Sequence, residues 1–193
     1  MTEESHVADR NGWRTIDASP GINDLDRDAL IATVNDASRL WLAHDGLWFL
    51  EFEKRYGMHK AIEADAAAWA EFTKLEAQRI MARLGVAPGG GVQALALALR
   101  HRLYANLNKM EISVKGDDAL RLRMLDCRVQ AARKKKGLTD FPCKSVGLVE
   151  YAEFAKAIDP RFAMTCVYCP PDAHPGDAWC AWEFQLMDSG TPA

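Results

Sequence analysis

The hydrophobic pattern of this chain changes near residue 108, and this change constrains the fold more than any other feature. Before it, apolar residues recur at the 3.6-residue spacing of amphipathic helices, as Ile62, Trp69 and Ile80 do. After it, residues 109–115 and 120–127 alternate at the two-residue spacing of strands, around a Gly-Asp-Asp turn. The pattern predicts an α+β protein: a helical N-terminal half packed on a C-terminal antiparallel sheet of about four strands with one main helix.

The same change in pattern sets the expected organisation of the chain. We expect a flexible arm at residues 1–24, a helical region at 25–108, an α+β cysteine-rich region at 109–187 and a tail at 188–193. A chain of 193 residues with 49% hydrophobic residues has the size and composition of one compact unit.

Turn residues mark the expected helix boundaries in the N-terminal half. Asp24 is expected to cap a helix that starts near Leu25. Gly46 is expected to end or kink that helix. One long helix is then predicted from Met58 to Leu84.

Cysteine spacing points to a metal site. Cys166 and Cys169 form a Cys-x-x-Cys knuckle followed by two prolines, which can direct both sulfur atoms at one point, as zinc and iron–sulfur sites require. Zinc is the expected metal and an iron–sulfur cluster is the alternative. The preferred ligands are Cys127, Cys143, Cys166 and Cys169. Cys180 or His174 could substitute for one of them. The competing interpretation is that the thiols are small core residues.

Three residues are candidates for catalysis. Cys143 lies at the start of a predicted helix, where unpaired backbone N–H groups favour a thiolate, so it is a candidate nucleophile. Glu76 falls in the middle of an apolar helix face and Asp65 at its edge. A buried carboxylate needs a partner or a raised pKa, so Glu76 is either a functional acid or paired with an arginine such as Arg79. His44 is a second candidate base.

A ligand pocket is expected between the two halves. The candidate wall residues are Trp41, Asp45, Trp48, Trp69 and Trp182. The alternative is that the tryptophans are ordinary core residues.

Charge and hydropathy exclude several classes of protein. A formal net charge of -3 and a pI near 6.0 argue against a nucleic-acid-binding protein. No apolar run approaches the roughly 18 residues of a membrane span, and the acidic N-terminus does not resemble a secretory signal. We therefore expect a cytoplasmic protein with reduced thiols, a small-molecule ligand, no nucleic-acid or membrane partner, and an arrangement compatible with a homodimer.

Several motifs resemble a known family. The chain resembles an uncharacterised bacterial family of cytosolic proteins over about residues 25–187. The stretches that carry the resemblance are Phe141–Tyr151, Cys166–Pro175, Cys180-Ala-Trp-Glu-Phe and Asp45-Gly-Leu-Trp-Phe. The last strand is more distantly similar to the aminothiazoline-carboxylate hydrolase-like family and to vinyl-reductase-type small-molecule-binding domains. The vinyl-reductase resemblance implies an α+β domain that binds a small ligand, with a cysteine-bound zinc in some members.

Three functional hypotheses follow. The first is a cysteine-ligated metal-binding protein that binds a small molecule between its two halves. The second is a hydrolase of a small cyclic amide or thiazoline-like substrate, in which Cys143 or a metal-bound water attacks and Glu76 or His44 serves as base. The third is a structural or regulatory metalloprotein without catalysis.

Overall fold

A computed structural model describes residues 21–187 and confirms the α+β class. The helices are α1 (Arg27–Tyr56), α2 (Met58–Leu84), α3 (Gly91–Arg100), α4 (Arg128–Lys135) and α5 (Lys144–Ile158). The strands are β1 (Lys109–Lys115), β2 (Ala119–Asp126), β3 (Phe162–Tyr168) and β4 (Cys180–Leu186). The predicted tail, 188–193, and residues 1–20 of the predicted arm lie outside the described residues.

Internal contacts divide the chain into two units after Ala37. Within the described residues, the first unit contains a 3-10 turn at Ile22–Asp24 and the beginning of α1. The second unit, residues 38–193, contains the remainder of α1 and every other helix and strand of the described chain. All the residues of the site described below belong to this second unit.

The sheet has four antiparallel strands in the order β1-β2-β4-β3. One face of β2 buries Leu120, Leu122 and Met124, because side chains two residues apart point to the same side of a strand. On β4 the same face carries Cys180, Trp182 and Phe184, opposite Met124, Leu122 and Leu120 in register. This apolar face packs in one core cluster with α2, α3 and α5.

Helix α5 packs between the sheet and α2. Its Glu150 carbonyl accepts a hydrogen bond of 3.1 Å from the buried Thr73 hydroxyl of α2. On the sheet side, Gly147 lies so close to Trp182 that an added Cβ would be 2.6 Å from the ring. The absence of a side chain at Gly147 therefore sets how closely α5 approaches β4.

Two boundary predictions were wrong for local reasons. Helix α1 continues through Gly46 to Tyr56, so the roughly 1 kcal/mol cost of one glycine in a helix does not end it there. Asp26, not Asp24, accepts the N-terminal hydrogen bond of α1, at 2.8 Å from the backbone nitrogen of Ala29. Asp24 instead accepts a hydrogen bond of 2.8 Å from Gly21 in the preceding 3-10 turn. Helix α2 has the predicted limits, Met58 and Leu84.

Candidate functional site

A cavity of about 450 Å³ lies inside the second unit. Helices α1, α2, α4 and α5 and strands β2 and β4 all contribute to its wall, which is mostly apolar. Aromatic side chains are prominent in this wall: Phe49, Trp69, Tyr104, Phe141, Tyr151 and Trp182. A cavity of this size and composition suits a small organic molecule.

Thiols from three separate segments meet at the wall of the cavity. Cys143 is the N-cap residue of α5, Cys169 follows β3, and Cys180 is the first residue of β4. The Sγ atoms of Cys143 and Cys169 are 3.5 Å apart. The indole nitrogen of Trp182 donates to the Sγ of Cys180 at 3.3 Å, which fixes that thiol beside the cavity.

The surroundings of Cys143 favour its thiolate. The hydrogen bond from the Cys169 thiol holds the pKa of Cys143 below its usual range, although burial opposes this effect. Gln130 adds a long contact from its Nε2 to the Sγ at 3.7 Å. Gln130 is itself held by two hydrogen bonds of 2.9 Å to the backbone of Phe141. Cys143 is therefore the thiol best suited to nucleophilic chemistry.

The other thiols differ from Cys143. Hydrogen bonds with Cys143 and Cys180 raise the pKa of Cys169 above its ordinary range. Burial raises the pKa of Cys127 to about 12. Cys127 lines the cavity as the N-cap residue of α4, whereas Cys166 is half-buried on β3 and is not part of the wall.

Within residues 21–187, no group of three or more His, Cys, Asp or Glu side chains could hold a metal ion. The predicted ligands Cys143 and Cys169 do lie together, and Cys127 lies on the same cavity wall, but Cys166 does not join them there. A four-thiolate zinc site or an iron–sulfur cluster needs four ligands at one point, and of the candidate thiols Cys143, Cys169 and Cys180 lie together. The zinc ion and the iron–sulfur cluster both stay predictions.

Carboxyl groups occupy another part of the wall. Asp45 of α1, Asp65 of α2 and Glu150 of α5 all line the cavity. Burial and the negative charges of Asp45 and Glu150 raise the pKa of Asp65 to about 7, and a hydrogen bond from Trp69 opposes the rise. Burial likewise raises the pKa of Asp45, partly offset by the nearby His44. The cavity thus contains one carboxyl group, that of Asp65, whose pKa lies near neutral pH.

Glu76 has a structural partner. Arg102, whose side chain is 3% exposed, lies 2.8 Å from Glu76 through its Nη2 and 2.7 Å from Glu150 through its Nη1. Glu76 therefore pairs with Arg102 and not with Arg79, and it does not line the cavity. His44 is also outside the wall: it is exposed, and its Nε2 accepts a hydrogen bond of 3.2 Å from Trp48.

The tryptophans divide between the wall and its surroundings. Trp69 and Trp182 line the cavity, together with Asp45. Trp41 lies beside Trp69, with 6.2 Å between ring centroids, and packs in a cluster outside the wall. Trp48 is 67% exposed on α1.

Sequence reasoning missed several wall residues. Gln130, Glu150 and Tyr151 carried no motif, since each reaches the cavity only through the packing of α4 and α5. Asp65 did give a signal, its position at the edge of an apolar helix face, but nothing in the sequence placed it beside Asp45.

The fold and the cavity together define an α+β protein with a thiol-lined cavity. The chain belongs to a family of unknown function, DUF6125, whose family model matches residues 23–186. No curated protein matches the chain. Among the described helices, none has the length and apolar composition needed to cross a membrane.

Proposed function

We propose that this protein binds a small organic molecule in the cavity between its helices and its sheet. The observation that carries the proposal is the cavity itself, about 450 Å³ in volume and bounded by six elements of the fold. Apolar side chains would supply most of the binding free energy, and the thiols and carboxyl groups would orient the ligand. Such binding requires no metal ion.

Gly46 provides a direct way to test this proposal. It lies on the cavity wall in the middle of α1, and a Cβ added there would meet no atom within 4 Å. A larger side chain at this position fits without a clash and reduces the free space. We expect Gly46→Leu to fold normally and to bind cavity ligands at least tenfold more weakly, whereas Gly46→Ala, the matched control, retains binding.

The measurement has two parts. Native mass spectrometry of gently purified protein would detect a retained small molecule, and 8-anilinonaphthalene-1-sulfonate fluorescence would report access to the cavity. Protection of Cys143 from iodoacetamide by the dye would locate the dye at the cavity wall. Cys166, whose thiol is not part of the wall, is the control that the dye should not protect. Equal dye binding by the wild type and Gly46→Leu, without protection of Cys143, would show that the cavity is not the binding site.

The lowered pKa of Cys143 favours a second candidate function, a hydrolase. In this candidate, the Cys143 sulfur adds to the carbonyl carbon of a small cyclic amide and the C–N bond breaks. The leaving nitrogen takes the proton of the Cys169 thiol, 3.5 Å away from the nucleophile. Water then hydrolyses the thioester and returns a proton to Cys169. The distant resemblance of the last strand to the aminothiazoline-carboxylate hydrolase-like family is consistent with this chemistry.

A burst experiment tests the second candidate. With p-nitrophenyl acetate, a nucleophilic Cys143 should release one equivalent of nitrophenolate rapidly and retain an acetyl group detectable by peptide mass spectrometry. Cys143→Ser should lose the burst, and Cys166→Ser should keep it. Acetylation spread over several thiols would contradict a dedicated nucleophile.

A further inference from the structure

The carboxyl groups of the cavity exceed the buried cations that could balance them. Asp45, Asp65 and Glu150 come from three different helices and face the same space. Arg102, the cation buried nearby, is shared between Glu150 and Glu76. No salt bridge joins Asp45 or Asp65 to a cation within residues 21–187. An interior with this excess of carboxyl groups favours a positive charge from outside.

Glu150 is a buried carboxyl group at the wall whose hydrogen bonding is incomplete. Its side chain is 10% exposed, and its Oε1 lies 2.7 Å from the Nη1 of Arg102 in an ion pair that leaves this oxygen without a hydrogen bond within residues 21–187. Buried polar groups are nearly always hydrogen-bonded, so the Glu150 carboxyl group can accept a hydrogen bond from a cationic group of a ligand.

Aromatic rings beside the carboxyl groups suit a cation. The rings of Trp69 and Tyr104 are stacked at 5.7 Å between centroids, and both residues line the cavity. The guanidinium of Arg102 already lies 5.7 Å from the Trp69 centroid and 5.9 Å from that of Tyr104. Electron-rich ring faces near carboxylates form a typical environment for an organic cation.

We infer that the ligand of this cavity is an organic cation, an amine whose ammonium group binds to Asp45 and Asp65 beside Trp69 and Tyr104. This inference rests on the proposed small-molecule function and specifies the class of ligand. The apolar part of the ligand would extend along the cavity towards the thiols and Trp182.

Basic residues also line the cavity, but their positions differ. Arg39, Arg128 and Lys136 are exposed, so water and salt screen their charges. Arg133 is buried and is paired with Glu53 at 2.8 Å. Of the four basic wall residues, three are therefore exposed and the fourth is paired with a carboxylate that lies outside the wall.

Calorimetry with three probes of similar size tests the inference. The probes are 2-(2-naphthyl)ethylamine, 2-(2-naphthyl)ethanol and 2-naphthylacetate, which are cationic, neutral and anionic at pH 8. We expect the amine to bind at least tenfold more tightly than the alcohol. Asp65→Asn should abolish this preference, and Glu63→Gln, which removes an exposed acid on the same helix, should retain it.

The pH dependence provides a test that requires no variant. A proton on Asp65 competes with the ligand cation, while the amine stays protonated up to about pH 9. With the pKa of Asp65 at about 7, the ionised fraction and hence the affinity for the amine should rise about tenfold from pH 6 to pH 8. The charged groups around this carboxyl group are Asp45 and Glu150, which raise its pKa, with His44 beside Asp45, Arg102 beside Glu150 and Arg39 on the cavity wall.

The outcomes separate the inference from the function. Equal affinity for the amine and the alcohol, or tightest binding of the naphthylacetate, overturns the cation inference while the cavity still binds ligands. Binding of none of the three probes also overturns it. The proposed function fails only if, in addition, Gly46→Leu leaves dye binding unchanged and Cys143 is not protected.

Discussion

The Sγ atoms of Cys143 and Cys169 lie 3.5 Å apart, and the hydrogen bond between them affects the two thiols in opposite ways. It lowers the pKa of Cys143 and raises that of Cys169. The Cys143 thiol is therefore ionised more easily because the Cys169 thiol donates a hydrogen bond to it. The position of Cys143 at the N-terminus of α5 acts in the same direction, because backbone N–H groups there favour a negative charge.

Removal of the donor should make Cys143 less reactive. In Cys169→Ala the pKa of Cys143 rises, so less thiolate is present at neutral pH. Each unit of pKa rise lowers the rate of alkylation by iodoacetamide at pH 7 by about tenfold. The rate profile of Cys143 against pH, followed by peptide mass spectrometry, should shift to higher pH. Cys166→Ala is the control that should leave the profile unchanged; a shift in both variants would contradict the role of Cys169.

Arg102 should be essential for stability. Its side chain is 3% exposed and forms ion pairs with both Glu76 and Glu150, so Arg102→Met leaves two buried carboxyl groups without a cation. Loss of one partner from a buried ion pair typically costs about 3–5 kcal/mol in the free energy of unfolding. Urea unfolding should show a loss of this order.

An exposed ion pair provides the matched comparison. Arg121 pairs with Glu183 on the sheet, with a side chain 53% exposed. Arg121→Met should therefore cost no more than about 1 kcal/mol. Adding Glu76→Gln and Glu150→Gln to Arg102→Met should restore part of the lost stability. Equal losses in the two single variants would show that the buried network does not contribute as proposed.

Much of the fold could be predicted from the sequence, because local patterns determine it. The alternation in residues 109–115 and 120–127 predicted two strands that the structure contains. The helix start at Cys143 followed from the Phe-Pro before it and the apolar spacing after it. The expected helix end at Gly46 was wrong, because the helix propensity of one residue is a weak signal within a 30-residue helix.

The arrangement of the candidate site was only partly predictable. Cys143 was identified from its local position, but its hydrogen bond to Cys169 depends on how the loop after β3 packs on α5. Likewise, Glu76 was expected to need a partner, yet Arg102 lies on a later segment of the chain. Contacts between residues far apart in sequence leave no local pattern from which they can be predicted.

Gly147 should tolerate no side chain. A Cβ at this position would lie 2.6 and 2.7 Å from two ring carbons of Trp182, so α5 or the indole must move in Gly147→Ala. Overpacking of this kind typically costs about 1–3 kcal/mol. The loss should appear in thermal unfolding, together with a change in tryptophan fluorescence. Gly176→Ala, where an added Cβ meets no atom within 4 Å, is the control, and a similar loss there would contradict this explanation.

Asp65 should make the protein less stable as the pH rises towards 7. Its pKa is about 7 in the fold and about 3.9 in an unfolded chain, so between these values the folded protein binds more protons. The free energy of unfolding changes with pH in proportion to the number of protons bound by the unfolded state minus the number bound by the folded state. It therefore falls as the pH rises across this window. Asp45 and Glu150, whose pKa values burial also raises, act in the same direction.

Asp65→Asn should therefore reduce the slope of the free energy of unfolding between pH 5 and pH 7 in urea unfolding, because the amide does not titrate. Glu63→Gln should leave the slope in this range unchanged, since the hydrogen bond and the charge of Lys60 lower the pKa of that exposed acid. An unaltered slope in Asp65→Asn would place the titration of Asp65 outside this range.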